Sequence, residues 1–187
     1  MPENNNSLVG LFNSHQDAEA AIKELQHAGY NMKQLSVVGK DYQTEENVVG
    51  YYNTGDRIAT WGKFGLFWGS LWGFLFGSAF FIIPGLGAVM VGGPLVSWII
   101  GVLEAAIVTG GLTAIGGALA SIGIPEDSVI RYETALKAHK FILIVHGTAT
   151  EVEKARSILL HNQAEEANVH HVLTELKPPL LSSAKPD

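Results

Sequence analysis

Phe64–Ile83, FGLFWGSLWGFLFGSAFFII, is the uncharged stretch on which the predicted fold class depends. It places a glycine at every fourth position, namely at Gly65, Gly69, Gly73 and Gly77. A glycine inside a helix in water costs about 0.5–1 kcal/mol relative to alanine, so four of them need a physical reason. Steps of four residues put them on one helical stripe, where a second helix backbone can come close. This spacing is typical of helices that pack in lipid.

Around this stretch the sequence predicts a hairpin of two transmembrane helices over residues 61–123. A helix over residues 61–83 would be about 34 Å long, enough to cross a hydrocarbon core of about 30 Å. PGLGAVMVGGP then interrupts the pattern, and the second span runs from Pro94 to Ala120. Its own small-residue stripe comprises Gly101, Ala105, Thr109, Thr113 and Gly117. Both stripes are predicted to mediate helix packing in a homo-oligomer. A hairpin buried inside a soluble oligomer is the alternative.

Basic residues flank the hairpin, whereas its connecting loop carries no charge. The flanking residues are Arg57, Lys63, Arg131, Lys137 and Lys140. Because positively charged flanks favour the cytoplasmic side, both soluble halves are predicted to face the cytoplasm. The predicted location is therefore the cytoplasmic (inner) membrane, with the lipid bilayer as a partner.

Composition narrows the possible functions. The 187 residues carry a net charge of −6, and no basic stripe is visible, so nucleic acid is not an expected partner. The chain contains no cysteine, which excludes disulfides, a thiol nucleophile and thiolate metal sites. No cofactor is expected.

Outside the apolar block, the sequence predicts two β-α-β units. Residues 1–40 form the first half, with a strand from Ser7 and a helix capped by Ser14. Residues 41–60 form a linker. Residues 124–176 contain a helix and the second half, in which Thr148 and Glu151 form a capping box, and residues 177–187 are a disordered tail. The predicted fold class is an α+β membrane protein, a ferredoxin-like split βαβ domain interrupted by the hairpin.

Three stretches resemble the bacterial general stress protein family, including its YflT-like N-terminal domain. They are LVGLFNSHQDAEAAIKELQHAGY, PGLGAVMVGGPL and GGLTAIGGALASIGIPEDSVIRYETALKAHKFILIVHG. The most specific piece is the glycine-rich span that runs into Gly123–Glu126 and then Tyr132-Glu133. The resemblance implies a membrane-associated stress protein and brings no catalytic residues. The chain departs from the family pattern at Lys137–Lys140, where a glycine is expected before the strand.

The remaining candidate residues favour no enzymatic chemistry. His170 and His171 are adjacent, but neighbours on a strand point to opposite faces and cannot readily share one metal ion. We therefore predict a non-enzymatic, stress-related membrane protein that self-associates through its glycine stripes and presents its cytoplasmic domains as a scaffold or interaction module. The alternative is an oligomeric channel or transporter in which Glu104 is the polar group of the pathway.

Overall fold

The computed structural model describes residues 6–40, 78–83, 85–104 and 113–171. The first β-α-β unit consists of β1 (Asn6–Phe12), α1 (His15–His27) and β2 (Leu35–Lys40), with a short 3-10 turn at Met32–Gln34. The central segment contributes β3 (Ser78–Ile83), β4 (Gly87–Gly92), α2 (Leu95–Glu104) and α3 (Ala114–Ser121). The remaining elements are α4 (Glu126–Lys137), β5 (Phe141–Gly147), α5 (Ala149–His161) and β6 (Glu166–His171).

The described strands form one antiparallel sheet in the order β3-β4-β2-β5-β1-β6. The strands of the two β-α-β units are therefore neighbours, and β3 and β4 extend the sheet beyond β2. In the centre, β1 pairs with β5 on one side and with β6 on the other, so that Ser7 lies opposite both His146 and His170. This register brings three polar side chains from different parts of the sequence into one row.

Local sequence explains the helices of the two units. The Ser14 hydroxyl accepts a hydrogen bond from the Asp17 backbone N–H at 3.1 Å and so caps α1. Thr148 and Glu151 form the predicted capping box at the start of α5. Before β5, His139 has a φ of 60°, a left-handed conformation that glycine adopts most easily. The departure from the family pattern at this turn is thus a histidine in a glycine-like conformation.

Helices cover both faces of the sheet. Alternate residues of β5 point to opposite sides, with Leu143 in one core cluster and Ile144 in the other. The first cluster lies under α1 and α5, and the second lies under α2, α3 and α4. Among the described residues, Tyr132 of α4 is the largest fully buried side chain, and it belongs to the second cluster. The central segment therefore supplies much of a second helical layer.

The predicted fold class is wrong in its membrane hairpin. Residues 78–83 and 87–92, which the sequence placed in the first span and its loop, are the strands β3 and β4. The second predicted span is divided between α2 and α3, with ten and eight residues. Over the residues that the structure describes, the chain is an α+β fold built on a six-stranded antiparallel sheet.

The predicted membrane location fails for the same reason. Of the helices within the described ranges, none combines the length and apolarity needed to cross a membrane. At about 1.5 Å per residue, α2 is about 15 Å long, half the thickness of a hydrocarbon core. The two-span topology, the inner-membrane location and the channel alternative that needed these spans are therefore not supported.

Candidate functional site

The outer edge of the sheet is its most unusual surface. Among the described residues, β3 pairs only with β4, in a register from Ser78 opposite Gly92 to Ile83 opposite Gly87. The strand reads SAFFII and contains no charged residue. An uncharged, apolar edge strand presents backbone N–H and C=O groups that can pair with another strand. Many soluble proteins block such edges with lysine, proline or a bulge, and β3 contains neither lysine nor proline.

Alternation along β3 explains why its two faces differ. Ile83 is buried in the core cluster beneath α2, together with Leu95 and Ile99. The preceding residue, Ile82, points to the opposite face and is 84% exposed. The buried cluster on that face draws its strand residues from β1, β2, β5 and β6, and Met90 of β4 packs against its border. Ile82 is thus an apolar side chain at the open end of a sheet whose centre is covered.

Helix α2 exposes further apolar side chains. Leu95 and Ile99 are fully buried against the sheet, whereas Trp98, Ile100 and Leu103 are 46%, 41% and 50% exposed. The helix contains no charge before Glu104. Its outer surface is therefore apolar rather than the charged surface that most amphipathic helices present to water.

The predicted small-residue stripes are only partly within the described chain. Gly65, Gly69, Gly73, Gly77, Ala105 and Thr109 lie outside the described residues, as does the side chain of Glu104, the last residue of α2. Gly101 is exposed, and a Cβ added to it would meet no atom within 4 Å. On α3, a Cβ at Gly117 would lie 3.0 Å from Val102 Cγ1, so this glycine permits close packing of α2 and α3. A role of the stripes between chains stays a prediction.

Thr113, the remaining stripe residue, has a different role within the chain. It is the N-cap of α3, and its hydroxyl accepts a hydrogen bond from the Gly116 N–H at 3.2 Å. Its hydroxyl and backbone N–H both donate to Glu133 Oε1, at 2.6 Å and 3.1 Å. Glu133 is 8% exposed, and these two hydrogen bonds to its carboxylate join the start of α3 to α4. The Tyr132-Glu133 pair is part of the resemblance to the general stress proteins, but the sequence alone does not indicate its contact with Thr113.

A polar row crosses the sheet beneath α4. Ser7 Oγ lies 3.1 Å from His146 Nδ1, and Tyr132 Oη lies 2.7 Å from His170 Nε2. Burial lowers the pKa of His146 below its usual value, and burial followed by the neighbouring charge of His171 lowers the pKa of His170. Burial also raises the pKa of Tyr132 to about 12. These groups are therefore neutral near pH 7 and act through hydrogen bonds.

The adjacent histidines turn to different partners. His170 contacts Tyr132, whereas His171 Nδ1 lies 2.8 Å from Asn6 Oδ1. Within the part of the chain that the structure describes, no three His, Asp or Glu side chains are grouped closely enough to hold a metal ion. The histidines of this sheet thus serve hydrogen bonding in the geometry observed.

The comparisons with known proteins identify one domain. No curated protein and no solved structure matches the chain. Residues 7–80 match the family model described as the heat induced stress protein YflT domain. The matched region begins in β1, contains α1 and β2, and ends within β3. This match confirms the predicted resemblance to the general stress proteins, and it is confined to residues 7–80, which are similar to the YflT domain.

Proposed function

We propose that the protein is a non-enzymatic, stress-related interaction module that self-associates by pairing β3 with β3 of a second copy. The observation that carries the proposal is the uncharged edge strand with Ile82 84% exposed. Strand addition at such an edge satisfies the backbone groups of both partners. The partner is a second copy because the same edge on two molecules is self-complementary under a two-fold axis.

An antiparallel β3–β3 contact would join two six-stranded sheets into one continuous sheet. Under a two-fold axis, the exposed Ile82 side chains of the two copies would lie on equivalent faces of the joined sheet. The contact would therefore bury apolar surface as well as pair backbone groups. Each chain has a net charge of −6, which opposes association at long range. Because β3 carries no charged side chain, the two β3 strands would not repel each other at the contact.

An enzymatic interpretation has less support among the described residues. Ser7 and His146 form the hydrogen-bonded pair that most resembles a nucleophile and its base. However, Ser7 is only 2% exposed. Its partner atom is His146 Nδ1, and no acidic side chain among the described residues bonds to His146 Nε2. This geometry favours a binding or structural role for the pair.

The test compares oligomer size in wild-type protein and in two lysine variants. Ile82→Lys places a charge on the edge strand of both copies, so its cost counts twice in a symmetric dimer and should weaken association about tenfold or more. Leu160→Lys is the matched control because Leu160 is also exposed, at 50%, but lies on α5. Light scattering across a concentration series should show dimers for wild type and the control, and monomers for Ile82→Lys. A monomeric wild-type protein would refute the proposal.

A further inference from the structure

A cleft of about 470 Å³ lies where the sheet meets the 3-10 turn and the helices α2 and α3. Ser7 and His146 line it from β1 and β5, and Lys33 lines it from the 3-10 turn. Trp98 lines it from α2, and Ala120–Gly123 line it at the end of α3. Among the described residues that line it, none belongs to β3, so the cleft is distinct from the edge strand of the proposed self-association.

The His146 side chain has an unused hydrogen-bonding atom at this cleft. Its Nδ1 pairs with Ser7 Oγ, and its Nε2 is buried without a partner among the described residues. If Nδ1 carried the hydrogen, both the Ser7 hydroxyl hydrogen and Nε2 would lack a partner. The arrangement with fewer unpaired groups has the Ser7 hydroxyl donating to Nδ1, which places the ring hydrogen on Nε2. A buried, unpaired N–H is a costly group that an acceptor on a ligand would satisfy.

The charges around the cleft favour a negative acceptor. Lys33 is a lining residue, and none of the described lining residues is acidic. The C-terminal end of α3 would disfavour an anion if its carbonyls were open. They are bonded instead: the Ser121 hydroxyl donates to Gly117 O, and the N–H groups of Ile122 and Gly123 donate to Ala118 O and Ala120 O. Among its described lining residues, the cleft therefore contains one basic side chain and the imidazole N–H but no carboxylate.

Trp98 favours a ligand that contains an aromatic ring. Its indole is 46% exposed and lies at the cleft beside Pro94, one turn earlier in the chain. An exposed indole offers a flat apolar surface on which an aromatic ring can stack. The remaining lining at the end of α3 includes Ala120 and Ile122, which add apolar contacts.

We propose that this cleft binds a small aromatic carboxylate, with the ring against Trp98 and the carboxylate accepting hydrogen bonds from His146 Nε2 and Lys33 Nζ. The ring contributes apolar contact, and the two donors select the anion over a neutral molecule of the same shape.

Isothermal titration calorimetry with 2-naphthoate and its neutral analogue 2-naphthamide tests the proposal on the full chain. Wild-type protein should bind 2-naphthoate about tenfold tighter than 2-naphthamide. His146→Leu should remove most of that preference, while His146→Gln, which keeps an N–H donor of similar reach, should retain part of it. Lys33→Gln should weaken 2-naphthoate about two- to fivefold, as expected for an exposed charge. Trp98→Ala should weaken both molecules alike.

Two control variants separate the site from general changes in charge. His161→Leu and Lys23→Gln alter exposed residues of α5 and α1 and should leave both affinities unchanged. Circular dichroism establishes that each variant is folded before titration. Equal affinity of the wild-type protein for the two probes, or equal losses in His146→Leu and His161→Leu, would overturn the proposal. Because light scattering reports self-association separately, failure of one proposal is distinguishable from failure of the other.

Discussion

Gly116→Ala should destabilise the protein even though alanine is the better helix former. A Cβ at this position would lie closer than van der Waals contact to Glu133 Oε1 and 3.1 Å from Val129 Cγ1. The carboxylate oxygen must then shift, which disturbs the two hydrogen bonds that the Thr113 hydroxyl and N–H donate to it at 2.6 Å and 3.1 Å. Hydrogen bonds to a charged group contribute about 1.5–3 kcal/mol each, and alanine returns about 0.5–1 kcal/mol. If both hydrogen bonds are lost, we expect the free energy of unfolding to fall by about 2–5 kcal/mol.

Urea unfolding followed by circular dichroism measures this change, and Gly101→Ala is the matched control. Gly101 lies inside α2 with no atom within 4 Å of its added Cβ, so this variant should gain about 0.5–1 kcal/mol. In a double-mutant cycle, Gly116→Ala and Glu133→Ala should be less than additive by about 1–3 kcal/mol, since each disrupts the same contact. A Gly116→Ala variant as stable as Gly101→Ala would refute the reasoning.

Two further predictions concern pH and helix capping. Because burial lowers the pKa of His146, the unfolded chain binds a proton at this imidazole more readily than the folded chain does. The free energy of unfolding should therefore fall as pH drops below about 6.5. Urea unfolding from pH 8 to pH 5 should show a smaller decrease in this free energy for His146→Gln than for the wild-type protein. Thr148→Ala should cost about 0.5–2 kcal/mol near pH 7, because it removes the α5 cap. The pKa of Glu151 is lowered chiefly by hydrogen bonds from Thr148, so the stability that these bonds contribute is present above about pH 4.5 and should be lost as pH falls below it. If Thr148→Ala lowered the free energy of unfolding equally at pH 7 and at acid pH, this explanation would be contradicted.

The sequence predicts the two β-α-β units well because their signals are local. Ala18, Ala21, Ile22 and Leu25 are spaced to cover one side of α1, and all four are buried. The Thr148 capping box likewise depends on residues three apart, and the structure confirms it. The covering of both sheet faces by helices depends on contacts between residues that are distant in sequence, so neither unit alone predicts it.

The predicted helices of the central segment are wrong because a continuous apolar run has no clear period that separates a helix from a strand. SAFFII fits a buried helix or a strand, and its aromatic and β-branched residues favoured the strand. Gly85 and Gly87 have φ angles of 83° and 85°, so they serve the turn between β3 and β4 rather than helix packing. The start of α3 is fixed partly by the contact between Thr113 and Glu133, twenty residues apart, which is a tertiary contact that no local pattern reveals.

The most direct test of the central claim is the distance between spin labels on residue 82 of two associated copies. The chain has no cysteine, so Ile82→Cys accepts a single label, and Leu160→Cys provides a control. At about 3.4 Å per residue and 4.8 Å between strands, any antiparallel β3–β3 register with four or more pairs places the two residue-82 Cα atoms within about 18 Å. The Leu160 pair should be about 40 Å apart, because α5 packs on strands near the far edge of each sheet. Strong dipolar coupling at position 82 and weak coupling at position 160 is the predicted result, and no coupling at position 82, or a longer distance there than at position 160, would contradict the account.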